Sequence, residues 1–551
     1  MDYSTLDIET GKQGNVLMIR IYNFKYGFTS FYTWQEFYSF LEQNNDMPCY
    51  RQFIAHNGGR FDYVSMLYEL LPETFSTSII MSGSGIILCS INDFKKPITF
   101  KDSILVLKAG LKKLCSTFDV ETPKLDIDIE NIETIFNEDR EQFDYYLNND
   151  CTSLYQVCKK FQELLDINYF PFTIASLAMK LYQTKFKPDD VKFYDTQKES
   201  EFKYIFDDSY AGGRVEVFKK GEHKNVCSYD VNSLYPFVMK DNFFPTYPCI
   251  LGKKYGTGDM GIYPLTFKQT DKTIPPFFWI KGDNGLEFVY EGSGCFTSVE
   301  IEKANLYGID MVIEPGVYFP NYSKIFSKYV NHFYELRLKN KDNALNMICK
   351  LLLNSLYGKF AERNDGSQLC QLREEDRNKL IENGVGFTEY SEKMGLYMVE
   401  TERNIRHAHK YISVFTTAYA RCYMYDFLAK YSEHLVYMDT DSLHITCDFD
   451  DKYIGNDLGM FKKEYEGKAI YNGRKQYIID KTIKYKGIRT QGALNHDKID
   501  YEDFKKMLEG KSVSKKYDTF PALKTALKSG TPCKILEVEK TLKSSKFCTN
   551  F

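Results

Sequence analysis

The run His434-Leu435-Val436-Tyr437-Met438-Asp439-Thr440-Asp441-Ser442-Leu443-His444-Ile445 constrains this 551-residue chain more than any other stretch. Apolar residues flank the two acids, so the pattern predicts a β-hairpin with Asp439 and Asp441 at its tip, both facing the same way because they are two apart in extended chain. Far upstream, Val226-Cys227-Ser228-Tyr229-Asp230 reads as an apolar strand ending in an acid, followed by a turn and a helix start at Ser233-Leu234-Tyr235-Pro236. A strand-end acid facing a hairpin with two acids makes a cage for two divalent cations. The fold must therefore join segments near 230 and 440 on one sheet.

Between those acids lies Asn343 to Lys359. Leu345, Ile348, Leu352 and Leu356 make one helical stripe, while Lys350, Asn354 and Tyr357 fall on another face. A cation, an amide and an aromatic on one face are the groups that hold a triphosphate and bound a base and a sugar.

A second acidic set occupies the N-terminal part. Asp7 and Glu9 share a face of a predicted strand, with Thr10 adjoining them. Asn57-Gly58-Gly59-Arg60-Phe61-Asp62 opens an apolar helical stretch, and Tyr146 and Asp150, four apart, share a face of another helix. Asp7, Glu9, Asp62 and Asp150 beside a tyrosine suit two cations about 3.5–4 Å apart, one generating hydroxide and the other stabilising a leaving oxygen. Hard oxygen ligands select Mg²⁺ or Mn²⁺, two in each of the two sites.

Composition excludes several alternatives. At about 150 residues per domain the length predicts three or four units. The fourteen cysteines contain no CxxC pair, so a zinc ribbon or iron–sulfur cluster lacks ligands at normal spacing. The start MDYSTLDIET lacks a signal-peptide progression and no stretch reaches about 18 uninterrupted apolar residues, which predicts a chain neither secreted nor membrane-spanning, in the cytoplasm of a host cell. A net charge of −4 argues against coating nucleic acid by bulk electrostatics. Positive charge is local: residues 501–551 hold 11 lysines against 6 acids, and 473–489 is a basic stretch with interleaved tyrosines.

Taken together, Asp7-x-Glu9, Asn57–Asp62, Tyr146–Asp150, Asp230–Pro236, Lys350–Tyr357 and Tyr437-x-Asp439-Thr440-Asp441-Ser442 resemble, in order, the motifs of the family B DNA polymerases. The resemblance runs from Asp7 to about Lys486. It is nearest the protein-primed branch of small bacteriophages, adenoviruses and linear plasmids, because the chain is short, is expected to lack the large N-terminal domain and terminal cysteine clusters of the cellular enzymes, and has long segments where the branch has two insertions.

The resemblance implies an α/β multidomain fold: a ribonuclease H-like 3′→5′ exonuclease (1–175) and a right-hand polymerase. The latter comprises an antiparallel palm (176–240 and 409–490), an insertion contacting terminal protein and DNA (241–327), helical fingers (328–362), a second insertion forming a template-encircling hairpin (363–408) and a small thumb (491–551). It implies that Asp230, Val231 and Asp441, assisted by Asp439, hold the polymerase metals. Ser233, Leu234, Tyr235, Lys350, Asn354 and Tyr357 would bind nucleotide, with Tyr235 beneath the sugar; Arg337 or Lys339 would add a cation, a choice the spacing leaves open. Lys124 would stabilise the phosphate transition state of the exonuclease and Tyr146 orient its water. Thr10, His56, Asn57, Phe61, Ser103, Tyr210, Gly212, Gly213, Thr417, Arg421, Lys475 and Tyr477 would contact DNA. Expected partners are primer-template DNA, dNTPs, a terminal protein and a single-stranded DNA-binding protein, with the chain a monomer. The alternatives are a family B polymerase extending ordinary nucleic-acid primers, or a silent scaffold binding DNA or a priming protein; a reverse transcriptase lacks the upstream acidic set.

Overall fold

The computed structural model describes residues 3–545 apart from 83–84, 126, 128–130, 194–199, 284, 342, 364, 403–404, 406, 488–496 and 531. Asp126, two residues beyond Lys124, and the expected boundary at 490–491 lie outside the described residues.

Strand Ser4–Thr10 alternates as its sequence predicts, burying Leu6 and Ile8 while Asp7 and Glu9 stay on the other face. It runs antiparallel to Val16–Asn23, with Asp7 opposite Arg20 and Glu9 opposite Met18, and parallel to Gln52–Ala55, which is parallel to Ile98–Asp102. The long helix Arg140–Leu165 lies across this sheet, held where Thr5 Oγ1 donates to the Cys151 carbonyl at 2.8 Å and Tyr3 Oη donates to Gln162 at 3.1 Å. That packing brings Asp150 over the first strand.

The sheet continues beyond the first unit. Its ten strands end in Asp365–Gln371, Leu396–Glu402 and Phe387–Ser391, all from the expected second insertion, joined where Leu369 and Cys370 pair with Ile79 and Ser78. Leu369, Met394 and Leu396 enter the hydrophobic core of the N-terminal unit. Helix Leu523–Ser529 of the C-terminal region does the same, burying Leu523, Ala526 and Leu527 in that core. An exposed strand edge invites pairing by its free amides and carbonyls, and here the insertion occupies it.

A second sheet of seven antiparallel strands runs Thr482–Tyr485, Gln476–Ile479, Phe461–Gly473, Gly221–Val231, Ser442–Ile445, Leu435–Asp439, Val215–Val217. Helix Lys410–Lys430 covers one face, packing on Tyr229, Val231, Met438 and Leu443, so residues of opposite parity (Ser228, Asp230, Tyr437, Asp439) occupy the other. Between the two halves of this sheet come a five-stranded sheet with helix Ser298–Leu306, then the paired helices Ser327–Lys339 and Ala344–Phe360. Helix Ile174–Leu181, at the expected seam between exonuclease and palm, shares its core with those paired helices.

Candidate active sites

In the N-terminal unit, carboxylate oxygens of Asp7, Glu9 and Asp150 lie within 4.8 Å of one another. Asp62, the first residue of helix Asp62–Leu70, is buried beside them, and one oxygen each of Asp62 and Asp150 has no hydrogen-bond partner among the described residues. Burial and mutual repulsion push Asp7 well above the usual carboxylate range and Glu9 to about 8, while burial, opposed by backbone hydrogen bonds and reinforced by Asp102 and Glu9, takes Asp62 to about 8. Lys124 pairs with Asp150, and its ammonium stands 3.4 Å from Tyr146 Oη. Burial opposes the charge on Lys124, but Asp150 and Asp7 outweigh it and raise the ammonium. One lysine cannot balance four ionised carboxylates in so shielded a site, which is why the acids hold their protons when no further positive charge is near. Orphaned oxygens and this imbalance fit divalent cations with oxygen ligands.

The turn preceding Asp62 is organised by a residue that sequence reasoning missed. Asp102 is buried and accepts from the amides of Asn57 at 2.8 Å, Gly59 at 3.0 Å and Ile104 at 3.1 Å, so one carboxylate clamps the His56–Phe61 turn to the Ser103 segment. Its only sequence signal is that an acid precedes a short helix. Gly59 is obligatory, because a Cβ there would meet the Ile86 carbonyl oxygen at 2.1 Å. Asn57 takes the left-handed conformation (φ 65°), which asparagine tolerates. Ser103, expected to contact the strand, is fully buried, donates to the Ala55 carbonyl at 3.0 Å and meets His56 Nδ1 at 2.9 Å, so it orients His56. Phe61 is partly exposed, its ring edge-on to Phe520 at 4.9 Å, and Thr10 is partly exposed at the strand end.

In the seven-stranded sheet, Ser442 pairs with Asp230 and Asp439 with Ser442, which sets the three acids around one point. Val231 donates its amide to the Asp441 carbonyl at 2.9 Å, tying strand end to hairpin tip. Burial, then Asp441 and Glu464, raise Asp230 to about 7; burial, opposed by its own backbone amide and reinforced by Asp439, raises Asp441 to about 6. Asp439 differs: Lys475 Nζ lies 3.3 Å from it and Tyr437 Oη donates to it at 3.3 Å. The acids open onto a cleft of about 570 Å³ that also presents Glu464, Lys475, Tyr477, Lys484 and Lys486. Glu464 sits at a β-bulge between Lys463 and Tyr465, where the register slips. Nothing in Lys462-Lys463-Glu464-Tyr465-Glu466 distinguishes it from a solvated strand.

Lys350 and Asn354 are exposed along one side of helix Ala344–Phe360, with Ile348, Leu352 and Leu356 buried on the other. Tyr357, from the same exposed side, stacks on Tyr235 with centroids 4.1 Å apart. Arg337 donates to Ser233 Oγ at 3.1 Å, in the turn carrying Leu234 and Tyr235, whereas Lys339 is exposed at the end of its helix.

Two of the residues expected to contact DNA lie inside the protein. Thr417 is buried and donates to the Val414 carbonyl. Arg421 is 7% exposed, pairs with Glu300 at 2.8 Å and donates to the carbonyls of Ala211 and Gly212 at 2.8 and 3.0 Å. These groups spend their hydrogen bonds inside the protein. Tyr210 is partly buried; Gly212 is open to solvent, whereas Gly213 packs against Thr440.

A family model described as DNA polymerase type B, organellar and viral, matches residues 43–146 and 140–434. A probable DNA polymerase of Ascobolus immersus is 27% identical over 588 residues, covering 91% of this chain and 48% of that protein. One from Neurospora intermedia is 26% identical over 508 residues, covering 76% and 51%. The chain thus spans about half the length of these fungal relatives. The structure of Phi29 DNA polymerase complexed with primer-template DNA and incoming nucleotide substrates superposes with a TM-score of 0.75 over 98% of this chain and 99% of that one at 19% identity. That likeness is one of fold: a ribonuclease H-like unit joined to an antiparallel palm with helical fingers. Among the described residues no helix is long and apolar enough to cross a membrane.

Proposed function

This chain belongs to the organellar and viral type B DNA polymerases, and we propose that it copies DNA templates and edits its product through two separate carboxylate sites. The observation that carries the reading is that the acids Asp230, Asp439 and Asp441 open onto a cleft flanked by basic side chains, while the Tyr235 turn is stacked on the helix bearing Lys350, Asn354 and Tyr357. A nuclease needs carboxylates alone; a site that adds nucleotides also needs groups for a triphosphate and a base.

Asp230 and Asp441, with the main chain at Val231, would hold Mg²⁺ or Mn²⁺ in the palm, as Asp7, Glu9, Asp62 and Asp150 would in the N-terminal unit. When bound, such cations activate the attacking oxygen and neutralise charge on the phosphate. Asp439, engaged by Lys475 and Tyr437, steadies the hairpin. Lys350 and Arg337 balance the departing pyrophosphate, Asn354 and Tyr357 bound the base, and Tyr235 fills the space of a 2′-hydroxyl. In the editing site Tyr146 orients the water and Lys124 holds its neighbour Asp150 and faces the phosphate, with His56, Asn57, Phe61 and Thr10 lining the path of a frayed single strand.

Substituting Asp7 and Glu9 by alanine abolishes degradation of single-stranded DNA while primer extension persists, and Asp439→Ala with Asp441→Ala does the reverse. Loss of both activities in either variant refutes two separable sites. We infer further that initiation uses a protein hydroxyl as primer on a linear viral or plasmid genome, supported by the sheet domain between the palm halves and by the strands 365–402. Transfer of labelled dAMP to a candidate terminal protein tests this; extension of ordinary primers alone favours the second reading, a polymerase of nucleic-acid primers.

A further inference from the structure

The strands that carry the palm acids carry a second polar row one step behind them. Side chains two apart share a face, so Tyr437, His444 and Ser228 stand behind Asp439, Ser442 and Asp230 on the same side of the sheet. His444 pairs across the strands with both Tyr437 and Ser228. It is 1% exposed, its Nε2 3.1 Å from Ser228 Oγ and its Nδ1 2.7 Å from Tyr471 Oη. Tyr471 lies on the next strand but one, Phe461–Gly473, and its ring stacks on Tyr437 at 5.4 Å. Tyr437 in turn donates to Asp439 and accepts from the Lys475 amide at 3.2 Å. Tyr477 closes the cluster, 5.2 Å from His444 and 5.0 Å from Tyr437.

A histidine is a costly choice here. Burial holds its ring neutral, pushing it down to about 3, and a leucine would fill the volume without any polar group to satisfy. What the imidazole offers is two hydrogen-bonding atoms at a fixed separation on a rigid plane. One reaches the strand of Asp230, the other the strand that carries Glu464, and its own strand, Ser442–Ile445, begins directly after Asp441. The strand of Asp230 and, through the long Tyr471 side chain, the strand of Glu464 are thereby tied to the hairpin behind the acids.

We propose that His444 is a positioning residue for nucleotidyl transfer, its imidazole bridging Ser228 and Tyr471 to set the spacing between Asp230 and the Asp439–Asp441 hairpin. Buried to 1% exposure at the floor of the cleft, it acts through the strands it ties. The role rests on the proposed palm activity. Partners standing behind metal ligands cost about 10–100-fold in metal affinity or activity when removed.

The test uses the full chain with a primer-template and, as an internal control, single-stranded DNA for the N-terminal site. His444→Phe keeps the ring and loses both hydrogen bonds; Tyr471→Phe loses one. We expect His444→Phe to lower kcat for dNTP incorporation about 10–100-fold, leave KM for dNTP within about 3-fold and raise the Mg²⁺ concentration for half-activity. Tyr471→Phe should show a smaller loss of the same kind. Degradation of single-stranded DNA should stay within about 2-fold of the parent in both, since that site lies on the other sheet. Parental kcat and Mg²⁺ dependence in His444→Phe overturn the role, as does a loss shared equally by both activities, which marks mere destabilisation. Should His444→Phe fail to fold, Tyr471→Phe decides by the same criteria. A parent chain that extends no primer would sink the proposed palm activity itself, a result distinguishable from parental extension by the variant.

Discussion

Gly213→Ala should disable DNA synthesis while leaving the exonuclease intact. A Cβ built at Gly213 would lie 2.5 Å from Thr440 Cγ2, 2.7 Å from its Oγ1 and 2.9 Å from its Cβ. Rotating the threonine cannot relieve this, because Cβ itself stays too close. Thr440 is the hairpin tip between Asp439 and Asp441, with φ at 63° and its amide donating to the Arg214 carbonyl at 2.8 Å. Restoring ordinary contact at 3.4 Å requires the tip to move about 0.9 Å. Misplacing reacting groups by about 1 Å costs about 100-fold in rate, or about 2.7 kcal/mol of transition-state stabilisation. Single-turnover incorporation at saturating dNTP measures it. Adding Thr440→Gly to Gly213→Ala removes the obstructing side chain and suits the positive φ, so the double variant should regain at least about tenfold of the loss. Equal rates for Gly213→Ala and the parent would refute the steric account, as would a double variant no better than Gly213→Ala.

Arg421→Ala leaves Glu300 buried without its partner and should cost about 3–5 kcal/mol in denaturant unfolding, whereas the exposed Lys475→Ala should shift stability by no more than about 0.5 kcal/mol and act on incorporation. Tyr235→Val removes the ring stacked on Tyr357 and should relax discrimination against ribonucleotides by about 10–100-fold, read as the ratio of kcat/KM for dNTP and rNTP. His444 is held neutral when folded, with its ring near 3, so the unfolded chain binds the extra proton as pH falls below about 6.5, and stability from this group is lost on acidification. From pH 8 to pH 5 that loss amounts to about 2 kcal/mol in the parent and is absent from His444→Phe, so the stability difference between the two should shift by that amount in the variant's favour on acidification.

The acids and the fingers face were legible because local geometry carries them. Asp7 and Glu9, or Asp439 and Asp441, share a side whenever their segment is extended, and Lys350, Asn354 and Tyr357 share one whenever theirs is helical. Tertiary packing decided the rest. Arg421 and Lys475 are both cations in motif positions, yet Glu300 and two carbonyls enclose the first while the second stays exposed beside Asp439. Glu464 reaches the cleft only through a bulge, and His444 and Ser228 meet only because two distant strands share a register. The ten-stranded sheet likewise depends on which edge was left unpaired at Ser78 and Ile79. Periodicity along the chain thus determined which residues face together, whereas the company each one keeps was set by pairings between segments far apart in sequence, which no local pattern encodes.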